Sequence, residues 1–277
     1  MDVSRATRDL HWAASVMVAL AIACAGCGRF AFDPLSAPDD GRPGDDSSDA
    51  PPPAVAFDIA SVGTGTNTSS LSWTHVITGS SSVLFVYVAT RDASGAPTVT
   101  SITANGMALV PVATSCPGCG TGGLTDLELW YLSTPPSGSV AITVMLTGAA
   151  VAATGISSSY TGMPPATIDV PAMNNATSTT PSLSWTGTSA ARWAVAGMMD
   201  QGGSVMSLVM AAGETMRTDS VCDANVFIGQ SVADQLSLSS TTLAFSWTFD
   251  SGTYGSGNYC KTDNTAHAWI AVGATMK

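Results

Sequence analysis

The most regular hydrophobic pattern in the chain runs from residue 82 to 146. Residues 83–88 are apolar at every position, which predicts a strand buried on both faces. Val99, Ser101 and Thr103 then alternate with Thr100, Ile102 and Ala104, the period of two of a half-buried strand. Asn105-Gly106 follows, and both residues tolerate the positive φ that a tight hairpin turn needs. That turn makes Ile102 and Leu109 expected cross-strand neighbours. Residues 127–132 and 140–146 read as two more strands, with Pro135-Pro136 between them unable to donate ladder hydrogen bonds. No helical interval breaks the series.

The pattern continues through 150–160, 167–170, 192–199, 226–229, 242–249 and 266–272. The stretch 205–212 fits strand or helix, with Met206, Leu208 and Met210 favouring alternation. Val, Ile, Thr, Tyr, Phe and Trp dominate these runs, as suits a pleated surface. The expected fold is all-β, a two-layer antiparallel sandwich of jelly-roll type. Ser70-Leu71-Ser72-Trp73-Thr74 recurs as Ser182-Leu183-Ser184-Trp185-Thr186, and Ser246-Trp247-Thr248 repeats its centre. Two readings stand: a duplicated half-sandwich, or a strand motif with one large buried side chain.

The N-terminal part differs in kind. Arg5 and Arg8 precede a mostly apolar run over 12–23, too short to span a bilayer. It ends in Ala23-Cys24-Ala25-Gly26-Cys27. Small residues before a cysteine resemble the lipobox of bacterial lipoproteins. The resemblance implies cleavage and lipidation at Cys27, with Cys24 the alternative, although the position three before Cys27 is not the usual Leu. Residues 1–27 are thus an expected lipoprotein signal. Residues 28–56 carry Asp39-Asp40, Asp45-Asp46 and Asp49 among Pro34, Pro38, Pro43 and Pro51-Pro52-Pro53, the composition of a disordered, extended tether. Residues 57–277 form the expected single domain.

Several features inside that domain carry a second resemblance. They are the strand 99–103 with its Gly turn to Ala108-Leu109, the run Glu128-Leu129-Trp130-Tyr131-Leu132-Ser133-Thr134-Pro135-Pro136-Ser137-Gly138, and Ser159-Tyr160-Thr161-Gly162. This order is similar to a bacterial extracellular β-sandwich module of secreted and surface proteins. It implies a jelly-roll-like sandwich and surface display, and brings no catalytic residues with it.

Charge narrows the partners. Charged residues are 10% of the chain, against about 25% in an average soluble protein, so Ser, Thr, Asn and Gly must carry solubility. A net charge of -11 argues against nucleic acid, which needs a basic face, and against electrostatic docking on anionic lipid. The expected membrane link is the lipid anchor, placing the protein at the outer membrane or cell surface, with a glycan or surface protein as further partner.

Candidate chemistry is sparse. Cys116, Cys119, Cys222 and Cys260 form an even set in an exported chain and read as two disulfides, Cys116–Cys119 and Cys222–Cys260. The C-x-x-C spacing of Cys116 and Cys119 also admits redox or zinc readings, against a Gly-rich surround without a helix start or a second close pair. His75 and His267 each lie two residues from a tryptophan, Trp73 and Trp269, and read as structural. Asp219, Asp223 and Asp234, or Asp250 and Asp263, could offer oxygen to Ca²⁺ but lack the loop spacing. Trp130, Tyr131, Trp193, Tyr254 and Tyr259 are candidates for a sugar-stacking platform. The sequence therefore points to a non-catalytic surface protein without a cofactor. A carbohydrate-binding module is the alternative, and a secreted hydrolase the third reading. The hydrolase would need a histidine in hydrogen-bond reach of a nucleophile.

Overall fold

The computed structural model describes residues 54–80, 82–113, 124–162, 166–201, 206–208, 213–218, 228–249 and 266–277. Among them there is no helix. The strands are β1 (Ala56–Ile77), β2 (Val83–Arg91), β3 (Val99–Ala104), β4 (Met107–Ala108), β5 (Val110–Ala113), β6 (Thr125–Leu132), β7 (Gly138–Thr161), β8 (Ile168–Ser178), β9 (Ser182–Thr186), β10 (Trp193–Asp200), β11 (Met206–Leu208), β12 (Glu214–Thr218), β13 (Gly229–Gln235), β14 (Thr242–Phe249) and β15 (His267–Met276). Every pairing between them is antiparallel. The all-β expectation holds. The Asn105-Gly106 turn has φ of 48° and 83°, and Leu109 N–H donates to the Ile102 carbonyl at 2.9 Å. Pro135 and Pro136 lie outside the ladder, between β6 and β7.

Two strands are far longer than the sequence pattern predicts. β1 and β7 pair from Ala56↔Thr161 to Ile77↔Gly138, with an irregularity between Thr68 and Ser70. Their two ends have different neighbours. The early part of β7 pairs β3 (Val144↔Ile102), while its late part pairs β2 (Ser158↔Phe85). The long ribbon therefore bends over on itself and the seven-stranded sheet nearly closes. Leu71, Trp73 and Ile77 of β1 turn inward with Leu84, Val86 and Val88 of β2 and Val140, Ile142 and Val144 of β7. A Cβ on Gly63 would lie 2.6 Å from the Trp73 ring, and one on Gly155 only 2.4 Å away. The indole needs that bare floor.

The second part of the chain repeats this pairing plan. β1 pairs β7 in two segments; β8 pairs β15 and β9 pairs β14. β2 lies between β7 and β6; β10 lies between β15 and β13. β5 flanks β6 as β12 flanks β13, and β3 flanks β7 as β11 flanks β14. The two Ser-Leu-Ser-Trp-Thr segments occupy equivalent strands: Leu71↔Val144 in one, Leu183↔Phe245 in the other. Trp247 belongs to β14, the partner of β9, so the third echo is a paired strand and not a third unit.

Where one core between two layers was expected, three buried clusters are found among the described residues. One lies inside the folded seven-stranded sheet. A second fills the space between β9, β10, β14 and β15 and holds Phe245, Trp247 and Trp269. The third joins the two halves through Phe85, Tyr87 and Tyr160 on one side and Trp193, Val195 and Val272 on the other. β2 sends Val83, Phe85 and Tyr87 to the joining cluster, and Leu84, Val86 and Val88 to the first. That explains a run apolar at every position.

Candidate functional site

A polar cluster in the first half surrounds His75, an inward position of β1 between Trp73 and Ile77. The imidazole is 0% exposed. Its Nδ1 lies 3.1 Å from Ser61 Oγ and 3.0 Å from Ser157 Oγ, and its Nε2 lies 3.0 Å from Ser159 Oγ. Ser159 donates to Asp58 Oδ2 at 2.9 Å, so its oxygen is left to accept from Nε2–H. Nδ1 is then the acceptor for a serine hydroxyl. Trp73 Nε1–H donates to Ser157 Oγ at 2.9 Å. Asp58 also accepts the Thr78 N–H at 3.0 Å and the Thr78 hydroxyl.

Burial pushes the His75 pKa down to about 4, against the pull of the nearby Asp58 charge. For Asp58, burial acts upward, but the hydrogen bonds from Thr78 and Ser159 outweigh it and hold the carboxyl below its usual value. The order Asp58, Ser159, His75, Ser61 looks like an acid, base and nucleophile with one serine inserted. His75 thus meets the hydrolase requirement of reaching a hydroxyl. However, His75, Ser157 and Ser159 are all closed to solvent, and an imidazole with a pKa near 4 is a weak base at neutral pH.

The second half keeps the acidic end of this arrangement. Asp169 accepts the Thr188 N–H at 2.8 Å and its hydroxyl at 2.7 Å, as Asp58 does from Thr78. Thr275 Oγ1 lies 3.3 Å from Asp169 Oδ2, in the place of Ser159. The histidine position, two residues after the strand tryptophan, is Gly187, and a Cβ there would already lie 3.0 Å from Thr275 Cγ2.

A second polar group sits where the halves meet. Arg217 of β12 clasps Asp234 of β13, Nε–Oδ2 at 2.6 Å and Nη2–Oδ1 at 2.9 Å. The guanidinium carbon lies 4.5 Å from the Phe57 ring centre. Tyr160 lies beside Asp234. Burial raises the Asp234 pKa, and Arg217 and Tyr160 pull against it. Burial beside the Asp234 charge raises the Tyr87 and Tyr160 pKa values.

The aromatic candidates do not form a platform among the described residues. Trp193 is 0% exposed, packed at 5.7 Å from Phe85 and 4.9 Å from Tyr160. Trp130 is 8% exposed, and its Nε1 donates to Glu128 Oε2 at 2.8 Å. Tyr131 is half-buried and stacks on Phe85 at 6.3 Å. Tyr254 and Tyr259 lie outside the described residues, as do Cys24, Cys27, Cys116, Cys119, Cys222, Cys260, Asp219, Asp223, Asp250 and Asp263. His267 Nδ1 lies 3.7 Å from Asp200 Oδ1, with the ring edge-on to Phe249 at 5.1 Å. No group of three metal-ligating side chains occurs among the described residues.

Sequence reasoning missed Asp58, Ser61, Ser157, Ser159 and Arg217. The available signal was Ser157-Ser158-Ser159 within a strand, since hydroxyls at alternate positions of a buried strand need partners. Compared with protein families, curated proteins and solved structures, the chain matches none.

Proposed function

We propose that the protein is a non-catalytic display or binding domain, exported and lipid-anchored through Cys27. A jelly-roll-like sandwich in each half, the two joined face to face, is part of this reading. One observation carries it: the chemistry-bearing side chains gathered in each half turn inward and bond one another. The outward positions of the outer strands carry Ser70, Ser72 and Thr74 in one half and Ser182, Ser184 and Thr186 in the other, all exposed. β3, β9 and β14 contain no charged residue. Such faces suit a neutral partner at a cell surface, reached without charge steering. The acidic tether from 28 to 56 would hold the domain away from the membrane.

The test has two arms. The full chain and its Cys27→Ala variant, expressed in a lipoprotein-processing bacterium, are labelled with fatty acid and partitioned into detergent. The label and the detergent partitioning should be lost in the variant. The lipidated protein should then retain envelope polysaccharide or surface protein, equally at low and high salt. Ester or glycoside hydrolysis abolished by Ser61→Ala would replace this reading with an enzyme.

A further inference from the structure

The cluster joining the halves holds polar groups that no described protein atom satisfies. Among the described residues, Thr154 Oγ1 and both side-chain heteroatoms of Gln230 have no hydrogen-bond partner, and the two residues are 1% and 0% exposed. Buried hydroxyls and amides are almost always paired, through ordered water where protein groups do not reach.

These two side chains lie in facing rows. A Cβ on Gly197 would lie 2.4 Å from Tyr87 Cδ1, so position 197 of β10 faces position 87 of β2. Arg91 Nη1 donates to the Gln201 carbonyl at 3.3 Å, so 201 faces 91. Position 199 therefore faces 89. Thr154 is the cross-strand partner of Ala89, and Gln230 of Met199. Tyr160 of β7 lies beside Asp234 of β13, and both strands send side chains to the joining cluster, which puts β13 over β7. Gln230 thus stands across the layer from Thr154.

We propose that Thr154 and Gln230 form an internal binding site for water between the two halves. A hydroxyl and a primary amide offer donors and acceptors but no charge. Water can answer both at once, whereas an ion would enter without a counter-charge from either residue. The site ties β7 to β13 at the opposite end of the interface from the Asp234–Arg217 pair, and makes the seam between the halves wet rather than purely apolar.

The test is NMR on the full chain, reading magnetisation transfer from bound water to the Gln230 side-chain amide protons. Transfer is expected in the wild-type protein, and its loss is expected in Thr154→Val. Absence of transfer in wild type, or transfer unchanged in Thr154→Val, overturns the proposal. An intact mass lower by one ammonia also overturns it, because Thr154 would then be joined to Gln230 as an ester. Thr154→Ser, which keeps the hydroxyl, should keep the transfer, and serves where Thr154→Val does not fold.

Discussion

The two halves place different side chains on one strand plan. In the first, His75 fills the space between the two arms of the bent ribbon and bonds serines on both β1 and β7. In the second, the same position is Gly187, Thr275 closes over it, and Trp185, Phe245 and Trp247 stack through the layer. The Asp–Thr staple is common to both, Asp58 with Thr78 and Asp169 with Thr188. What the halves share is the pairing frame and its staple. What differs is the filling, hydrogen-bonded in one and aromatic in the other. A feature present in only one half is not needed to hold the frame.

The comparison can be broken most forcefully at the tryptophans. Trp73→Ala and Trp247→Ala should each cost about 3 to 5 kcal/mol in urea unfolding, because each empties a packed core. In the first half Gly155→Val should approach that loss, since the new Cβ meets the indole at 2.4 Å. Equal tolerance of Gly155→Ala and Gly187→Ala would contradict the difference in filling.

The interface between the halves comes next. Arg217→Met leaves Asp234 buried without its bidentate partner and should cost about 3 kcal/mol or more near neutral pH. The loss should shrink as the pH falls, because the stranded Asp234 can then take a proton. Thermal melting at several pH values checks this.

Acid should separate the halves as well. The unfolded chain binds a proton at His75 near pH 6.5, while the folded protein resists it down to about 4. Stability contributed by His75 is therefore fully present above 6.5, falls as the pH drops from 6.5 toward 4, and levels off below. The size is up to about 3 kcal/mol. His75→Gln should flatten that part of the pH–stability curve. The Asp58 contribution acts at lower pH: its depressed pKa gives stability that is lost only below the usual carboxylate range. Asp58→Ala should lower the urea midpoint more than Asp169→Ala, because it also ends the line through Ser159 to His75.

Much of the frame is legible in the sequence. Val83 to Val88, the Asn105-Gly106 turn and Phe245 to Phe249 follow from period, turn chemistry and β-forming residues. The first part of β1 and the later part of β8 are not, because Gly63, Thr64, Gly65, Asn174, Asn175 and Ala176 carry no apolar alternation. These strands are ordered by pairing with β7 and β15, a tertiary effect that local pattern does not contain. Of the expected strand at 226–229, residues 226 and 227 lie outside the described residues, and the described strand runs Gly229–Gln235, where Ser231 and Gln230 are buried despite their polarity. His75 was read as structural from its place beside Trp73, and its partners were hidden, since Asp58, Ser157 and Ser159 meet it only once the long ribbon bends. Trp130 and Trp193 drew attention as possible sugar contacts because an aromatic in a strand does not announce which face is covered. The shared pentapeptide was visible, but the duplication became clear only from the strand pairing.

The central claim is that one pairing plan occurs twice. The direct measurement is the set of through-space proton contacts across strands in solution. Contacts are expected between Leu71 and Val144 and between Leu183 and Phe245, with Val86 to Ser157 and Gly197 to Val272 completing the two frames. Backbone pairing of Leu183 with any strand but β14, with the Leu71 to Val144 pairing intact, would contradict it.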